Sequence, residues 1–108
     1  MSLTRPIPLH IRQKFNADPW YAKCCIADAQ CSGRIEFHHN FTFAGKRTDD
    51  EEGILPACSY HHSKADTTLI KERFDWVMLS RSLTTLDQKY ARSGLNQRYK
   101  YLATKKYD

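Results

Sequence analysis

Four of the five histidines lie in two adjacent pairs, His38-His39 and His61-His62, within 25 positions, and Cys58 stands three residues before the second pair. Cys58-x-x-His61 has the ligand spacing of a zinc knuckle that opens a helix. Three further cysteines, Cys24, Cys25 and Cys31, precede the first pair. A closed tetrahedral Zn²⁺ site takes sulfur and nitrogen donors and keeps no open position. Cys58, His61 and Cys31 supply three of the donors, and the fourth is Cys24 or Cys25. Cys24 is preferred, because its spacing to Cys31 leaves more loop and lets Cys25 and Ile26 pack beneath the knuckle. Such a site staples the chain before one strand to the helix after the next, which a small core needs. Adjacent cysteines mixed with histidines suit a metal site in a reducing compartment better than a disulfide framework.

The remaining histidines suggest a second constellation. His62 and Asp66 are four residues apart, so a helix would project them from one face. His61 sits about 100° round the same helix, free to face the zinc. One of His38 and His39 can then join His62 and Asp66 on a divalent cation, leaving the other to act on a water. Phosphodiester hydrolysis asks for that set: an imidazole with a pKa near neutrality to take the proton, and a cation to stabilise charge and assist the leaving oxygen.

The elements that must hold these groups follow from local pattern. Arg34-Ile35-Glu36-Phe37 alternates into the first pair and predicts a strand. A polar loop from Phe41 to Glu52 follows, long enough to be functional, and then a brief apolar segment, Ile54-Leu55, with Pro56. Asp18-Pro19 predicts an N-cap and a first helical proline, with a short helix through Tyr21. Trp20 and Tyr21 are expected in the core. Residues 1–15 predict an extended arm with at most one helical turn. Ile70, Phe74, Val77 and Met78, with Leu69 beside them, predict a helix over 69–81. Thr84-x-x-Asp87 predicts a capping box for a second helix through Arg92, stopped at Gly94. The expected organisation is an arm and short helix over 1–23, a zinc-stapled core over 24–66, and C-terminal helices of the same domain over 67–108.

Composition narrows the function classes. The chain has 108 residues, 41% hydrophobic and 27% charged, enough for one soluble domain with a modest core. No apolar run is long enough to suggest a membrane span, and no secretory signal is evident. The formal net charge of +5 is unevenly placed. Residues 1–23 carry four basic groups against one acid, residues 24–62 three against six, and residues 63–108 ten against five. A cation-holding centre flanked by basic ends suits a polyanion. Lys46 and Arg47 in the loop, and Arg98, Lys100, Lys105 and Lys106 among the C-terminal tyrosines, are the candidate phosphate contacts.

Cys31-Ser32-Gly33-Arg34-Ile35, His39, Ala44-Gly45-Lys46 and Ile54-Leu55-Pro56-Ala57-Cys58-Ser59-Tyr60-His61-His62 together resemble the HNH endonuclease superfamily, the ββα-metal nucleases, in the zinc-bound subgroup of small phage and prophage proteins. The resemblance is specific between Cys24 and Asp66. It implies an α+β fold with a ββα-metal core and two or three further helices, acting as a metal-dependent DNA endonuclease. It implies His39 as the general base, His38 and His62 as ligands of a catalytic Mg²⁺ or Mn²⁺ (or Ni²⁺), and Asp66 as a further ligand. Structural zinc would rest on Cys24, Cys31, Cys58 and His61. DNA is the implied partner, with a phage or recombination protein as a possible recruiter, in the cytoplasm of a bacterial host. The motif's central Asn falls on Gly53, so the loop is held by its backbone, or Glu52 substitutes, or the site is weakened. The rival expectations are a non-catalytic zinc-stapled module that binds DNA or protein, and a zinc hydrolase, which would need an open zinc.

Overall fold

In a computed structural model, residues 7–105 are described apart from 45, 49 and 92, and the side chains of Lys46 and Arg47 also lie outside the description. The expected Lys106 contact falls outside the described residues. Helix α1 (Leu9–Asn16) leads into a 3-10 turn (Pro19–Ala22) and then, after an irregular stretch, into strand β1 (Ile35–His39). A small hairpin, β2 (Thr42–Phe43) with β3 (Lys46–Arg47), and a second 3-10 turn (Glu51–Gly53) lead to β4 (Ile54–Cys58). Helices α2 (Ser59–Ser63), α3 (Thr68–Lys89) and α4 (Leu95–Ala103) complete the chain. This is a small α+β protein built on a two-stranded sheet.

β1 and β4 pair antiparallel with His39 opposite Ile54, His38 opposite Leu55 and Ile35 opposite Cys58. The register therefore puts the first histidine pair at the far end of the hairpin from Cys58. Pro56 has no N–H to give a ladder, and its carbonyl accepts the Cys25 N–H at 2.9 Å. That bond lays the Cys24-Cys25 segment along β4. Alternation sends the two faces of the sheet to different partners. Phe37 packs edge-on against Phe15 of α1, with ring centroids 5.3 Å apart, beside Tyr21. His38 faces Phe74 of α3 at 4.8 Å. Leu55, Ala57 and Cys58 join Phe74, Met78, Leu79, Leu86 and Leu102 in the main core.

The turn at Asp18 forms as its sequence predicts: the Asp18 carboxylate accepts the Trp20 N–H at 2.9 Å and Pro19 opens the 3-10 turn. Tyr21 is half-buried, and its hydroxyl donates to the Ile54 carbonyl at 2.8 Å. Three expectations are corrected. The arm before Phe15 is two helical turns, because Ile11 and Phe15 lie on one helical face and bury against Ile54. The two helices expected over 69–92 do form within α3, joined across a kink at Ser82 with φ −140° and ψ 21°, but the second ends at Lys89, short of Arg92. It begins without a side-chain bond from Thr84, and its buried Leu86 extends the stripe of Phe74, Met78 and Leu79 beyond the kink. Gly94, in the left-handed region at φ +77°, opens α4 rather than closing the helix before it.

Candidate metal centre and histidine pair

Two glycines let the chain come close enough to build the site. Gly33 has φ +81°, and a Cβ there would meet the Cβ of Ser59 at 2.6 Å. The space is taken by two backbone bonds, Ser59 N–H to the Arg34 carbonyl and Tyr60 N–H to that of Ser32, which dock the first turn of α2 on the Cys31 loop. Gly53 is the second. Its carbonyl accepts the N–H groups of Asn40 at 2.8 Å and Phe41 at 3.3 Å, and a Cβ on it would meet Phe41 Cβ at 2.8 Å. At the position where the motif's Asn would fall, the loop is held by its backbone.

Among the described residues, one group of three or more metal-ligating side chains gathers: Cys24, Cys31, Cys58 and His61, with ligand atoms within 4.8 Å of one another. The Nδ1 atom of His61 lies 3.5 Å from the Sγ of Cys24, 3.5 Å from that of Cys31 and 3.2 Å from that of Cys58. A tetrahedral ion about 2.3 Å from sulfur and about 2.0–2.1 Å from nitrogen would hold such atoms about 3.5 Å apart. The group can hold a metal ion. Cys24 contributes to it. Cys25 packs against the core, and burial pushes its thiol up to about 12.

The group also has an outer layer that sequence reasoning missed. His61 is fully buried, and its Nε2 lies 3.2 Å from Oδ2 of Asp28. Asp28 accepts from Arg73 of α3 at 2.8 Å, and Arg73 also donates to the Ile26 carbonyl at 3.0 Å. The Arg73 hydrogen bond holds the Asp28 carboxyl below the usual range. A carboxylate on the far nitrogen fixes which nitrogen of a metal-binding imidazole faces the ion and raises its basicity. The sequence carried one hint, an acid inside the Cys24–Cys31 loop. Burial raises Cys58 too, but hydrogen bonds from the backbone of His61 and Ser32 and from neighbouring side chains bring it down to about 6.

The second constellation is only partly assembled. His38 and His62 come together, with ring centroids 5.0 Å apart. Glu36, on the same strand face as His38, lies with Oε1 2.7 Å from Nδ1 of His62. That hydrogen bond holds the Glu36 carboxyl below its usual range. Burial, followed by the field of His62, pushes His38 down to about 4, so its imidazole is neutral at pH 7. His39 is half-buried at the end of the strand, on the opposite face by alternation. Asp66 is displaced from the expected arrangement. Helix α2 ends at Ser63 and α3 begins at Thr68, so Asp66 lies exposed in the connection and shares no helical face with His62. His38, His62 and Asp66 therefore do not make a second compact ligand group among the described residues.

The neighbouring polar network was not foreseen. Asn40, 4% exposed, lies with Oδ1 3.2 Å from Nε2 of His38 and donates through Nδ2 to Asp75 at 2.8 Å. Lys71 donates to the Asn40 carbonyl, to its Oδ1, and to Asp75. Arg98 of α4 gives two hydrogen bonds to Oδ2 of Asp75, at 3.1 and 3.0 Å. Arg98, expected to contact phosphate, thus has its guanidinium committed to a buried acid. Lys100 is exposed, and Lys105 Nζ lies 5.1 Å from the centre of the Tyr101 ring. Lys46 and Arg47 pair with β2 through their backbone. No helix among the described residues is long and apolar enough to cross a membrane. Compared with known protein families, with curated proteins and with solved structures, the chain matches none.

Proposed function

We propose that the protein is a metal-dependent DNA endonuclease of the ββα-metal kind, with Zn²⁺ on Cys24, Cys31, Cys58 and His61 as a structural staple. One observation carries this reading. His38 at the end of β1 and His62 in α2 bring their rings within 5.0 Å beside a metal-ligating group, on a strand–strand–helix frame. Cysteine-rich closed sites hold structure rather than activate water, which leaves the histidine pair for chemistry. His38 and His62 hold a divalent cation, Mg²⁺ or Mn²⁺, and His39, the last residue of β1 and turned to the other face of the strand, reaches round the strand's end to take the proton of the attacking water. The cation supplies charge stabilisation at phosphorus and at the leaving oxygen. Exposed cations such as Lys100, with Lys46 and Arg47 of the hairpin, give sequence-independent grip on the backbone of DNA.

A zinc-stapled binding module is the second reading, and one observation favours it: Asp66 stands away from the histidine pair, leaving fewer protein ligands for a catalytic ion. A supercoiled-plasmid assay with zinc-loaded protein separates the two. The nuclease reading expects nicked or linear DNA that requires added Mg²⁺ or Mn²⁺. It also expects a loss of about 10²–10⁴-fold in His39→Ala, the usual range for a general base. Retarded but uncut DNA under every metal, from protein with one zinc per chain, would establish the binding module instead.

A further inference from the structure

Each ring of the histidine pair has one nitrogen engaged by a neighbour whose hydrogen-bonding sense is fixed. Around His38 the chain of constraint starts two groups away. The Asp75 carboxylate can only accept, so the Asn40 atom 2.8 Å from its Oδ1 must be the amide nitrogen. The Lys71 ammonium can only donate, so the Asn40 atom 3.2 Å from it must be the carbonyl oxygen. A flipped amide would set oxygen against carboxylate and NH₂ against ammonium. Asn40 therefore presents its oxygen to Nε2 of His38 at 3.2 Å, and that nitrogen must carry the proton. The clamp is itself closed. Lys71 has three acceptors, the Asn40 carbonyl, its Oδ1 and Asp75. Arg98 occupies the second oxygen of Asp75.

His62 is constrained in the opposite sense. Glu36 Oε1 lies 2.7 Å from its Nδ1, and the other oxygen of Glu36 accepts from Ser59 Oγ at 3.4 Å. Only a protonated Nδ1 satisfies that contact.

We propose that Asn40 and Glu36 are positioning residues that hold the two imidazoles in opposite tautomers, His38 as Nε2–H and His62 as Nδ1–H. The nitrogens left with a lone pair are then Nδ1 of His38 and Nε2 of His62. Asp75, Lys71 and Arg98 act through Asn40. This rests on the reading of the pair as a cation site, since opposite tautomers matter where each ring must offer one particular nitrogen. It also enlarges the site, bringing residues of α3 and α4 to bear on a strand histidine.

The test is the two-bond ¹H–¹⁵N correlation spectrum of ¹⁵N-histidine-labelled, zinc-loaded protein at pH 7.5, without a second divalent metal. Each tautomer has its own pattern of nitrogen shifts and cross-peaks. The expected result is Nε2–H for His38 and Nδ1–H for His62. The same tautomer on both rings, or a doubly protonated His38, would overturn the proposal. In Glu36→Gln, whose amide can donate or accept, His62 should shift toward a mixture of tautomers while His38 stays as it was. In Asn40→Ala, His38 should become the mixed ring. If Asn40→Ala does not fold, the wild-type assignment and Glu36→Gln still decide. An unaltered His62 pattern in folded Glu36→Gln would remove Glu36 from the role. Since the spectrum does not depend on cleavage, opposite tautomers in a protein that never cuts plasmid would uphold the positioning and reject the nuclease. Cleavage with like tautomers would do the reverse.

Discussion

The metal group makes predictions residue by residue. Cys58 is almost fully buried and lies nearest to His61 of the three sulfurs, so Cys58→Ser should drop zinc from one per chain to near none and lower the melting temperature sharply. Cys25→Ser is the matched control. Its sulfur is not part of the ligand group, so zinc content measured by atomic emission should be unchanged. Equal zinc loss in both would mean that Cys24 had been wrongly preferred. Asp28→Ala should keep the ligands but weaken zinc binding about 10–100-fold, as second-layer carboxylates elsewhere do. A competition titration with a chromogenic chelator reads that directly. The choice between Cys24 and Cys25 turned on loop length at the sequence level. What decides it in the fold is the bond from Cys25 N–H to the Pro56 carbonyl, a contact across 31 positions that no local pattern encodes.

At the level of elements, the loop that enters the histidine end depends on Gly53. Its Cβ-less backbone lies against Phe41, whose own Cβ cannot swing aside, so Gly53→Ala should cost about 1–3 kcal/mol, the usual range for overpacking. A urea titration measures it, and a neutral result would show that the loop yields. Tyr21→Phe keeps the stack on Phe15 and removes the bond to Ile54, which should cost about 0.5–1.5 kcal/mol by the same measurement. Strand β1, the Asp18 turn and the Cys-x-x-His knuckle were legible because period-two alternation, capping chemistry and ligand spacing are local signals, whereas β4, buried at every position, showed only as a brief apolar segment. Both helical stretches of α3 were legible on either side of the non-helical Ser82, but the end of the second was not, since the chain leaves the helix at Lys89 before the expected Arg92. Asp66 misled for a related reason: i and i+4 spacing has meaning only where the helix continues, and α2 stops one turn early.

Across the whole molecule, polar ties hold pieces that the small core alone does not. The 3-10 turn over Glu51–Gly53 is tied to the end of α3 by Lys89, which bridges Asp50 and Glu52 at 3.1 Å, and by the Tyr90 hydroxyl on Asp50. Burial pushes Asp50 up, but the Tyr90 and Lys89 bonds more than offset it and hold it below the usual carboxylate range. A depressed folded pKa contributes stability above the unfolded value, about 3.9, and loses it as pH falls through the folded value. The stability gap between wild type and Asp50→Asn, taken from urea titrations, should be full at pH 6 and shrink below about pH 4. Comparing the two proteins cancels the acid-driven loss of metal they share. The buried Asn40–Asp75–Arg98 chain could not be foreseen, since its members are 23 and 35 positions apart.

The two imidazoles are held by different parts of the molecule. His62 is the chain neighbour of the buried ligand His61, so its backbone moves with the cysteine loop. His38 is fastened through Asn40 to α3 and α4. The gap between the rings therefore gauges how well one half is seated on the other. Hydrogen exchange on chelation should give the two ends of the β1–β4 pair different fates: amides of β4 near Cys58 lose protection first, while the Asn40 amide, held by the Gly53 carbonyl at the other end, outlasts them.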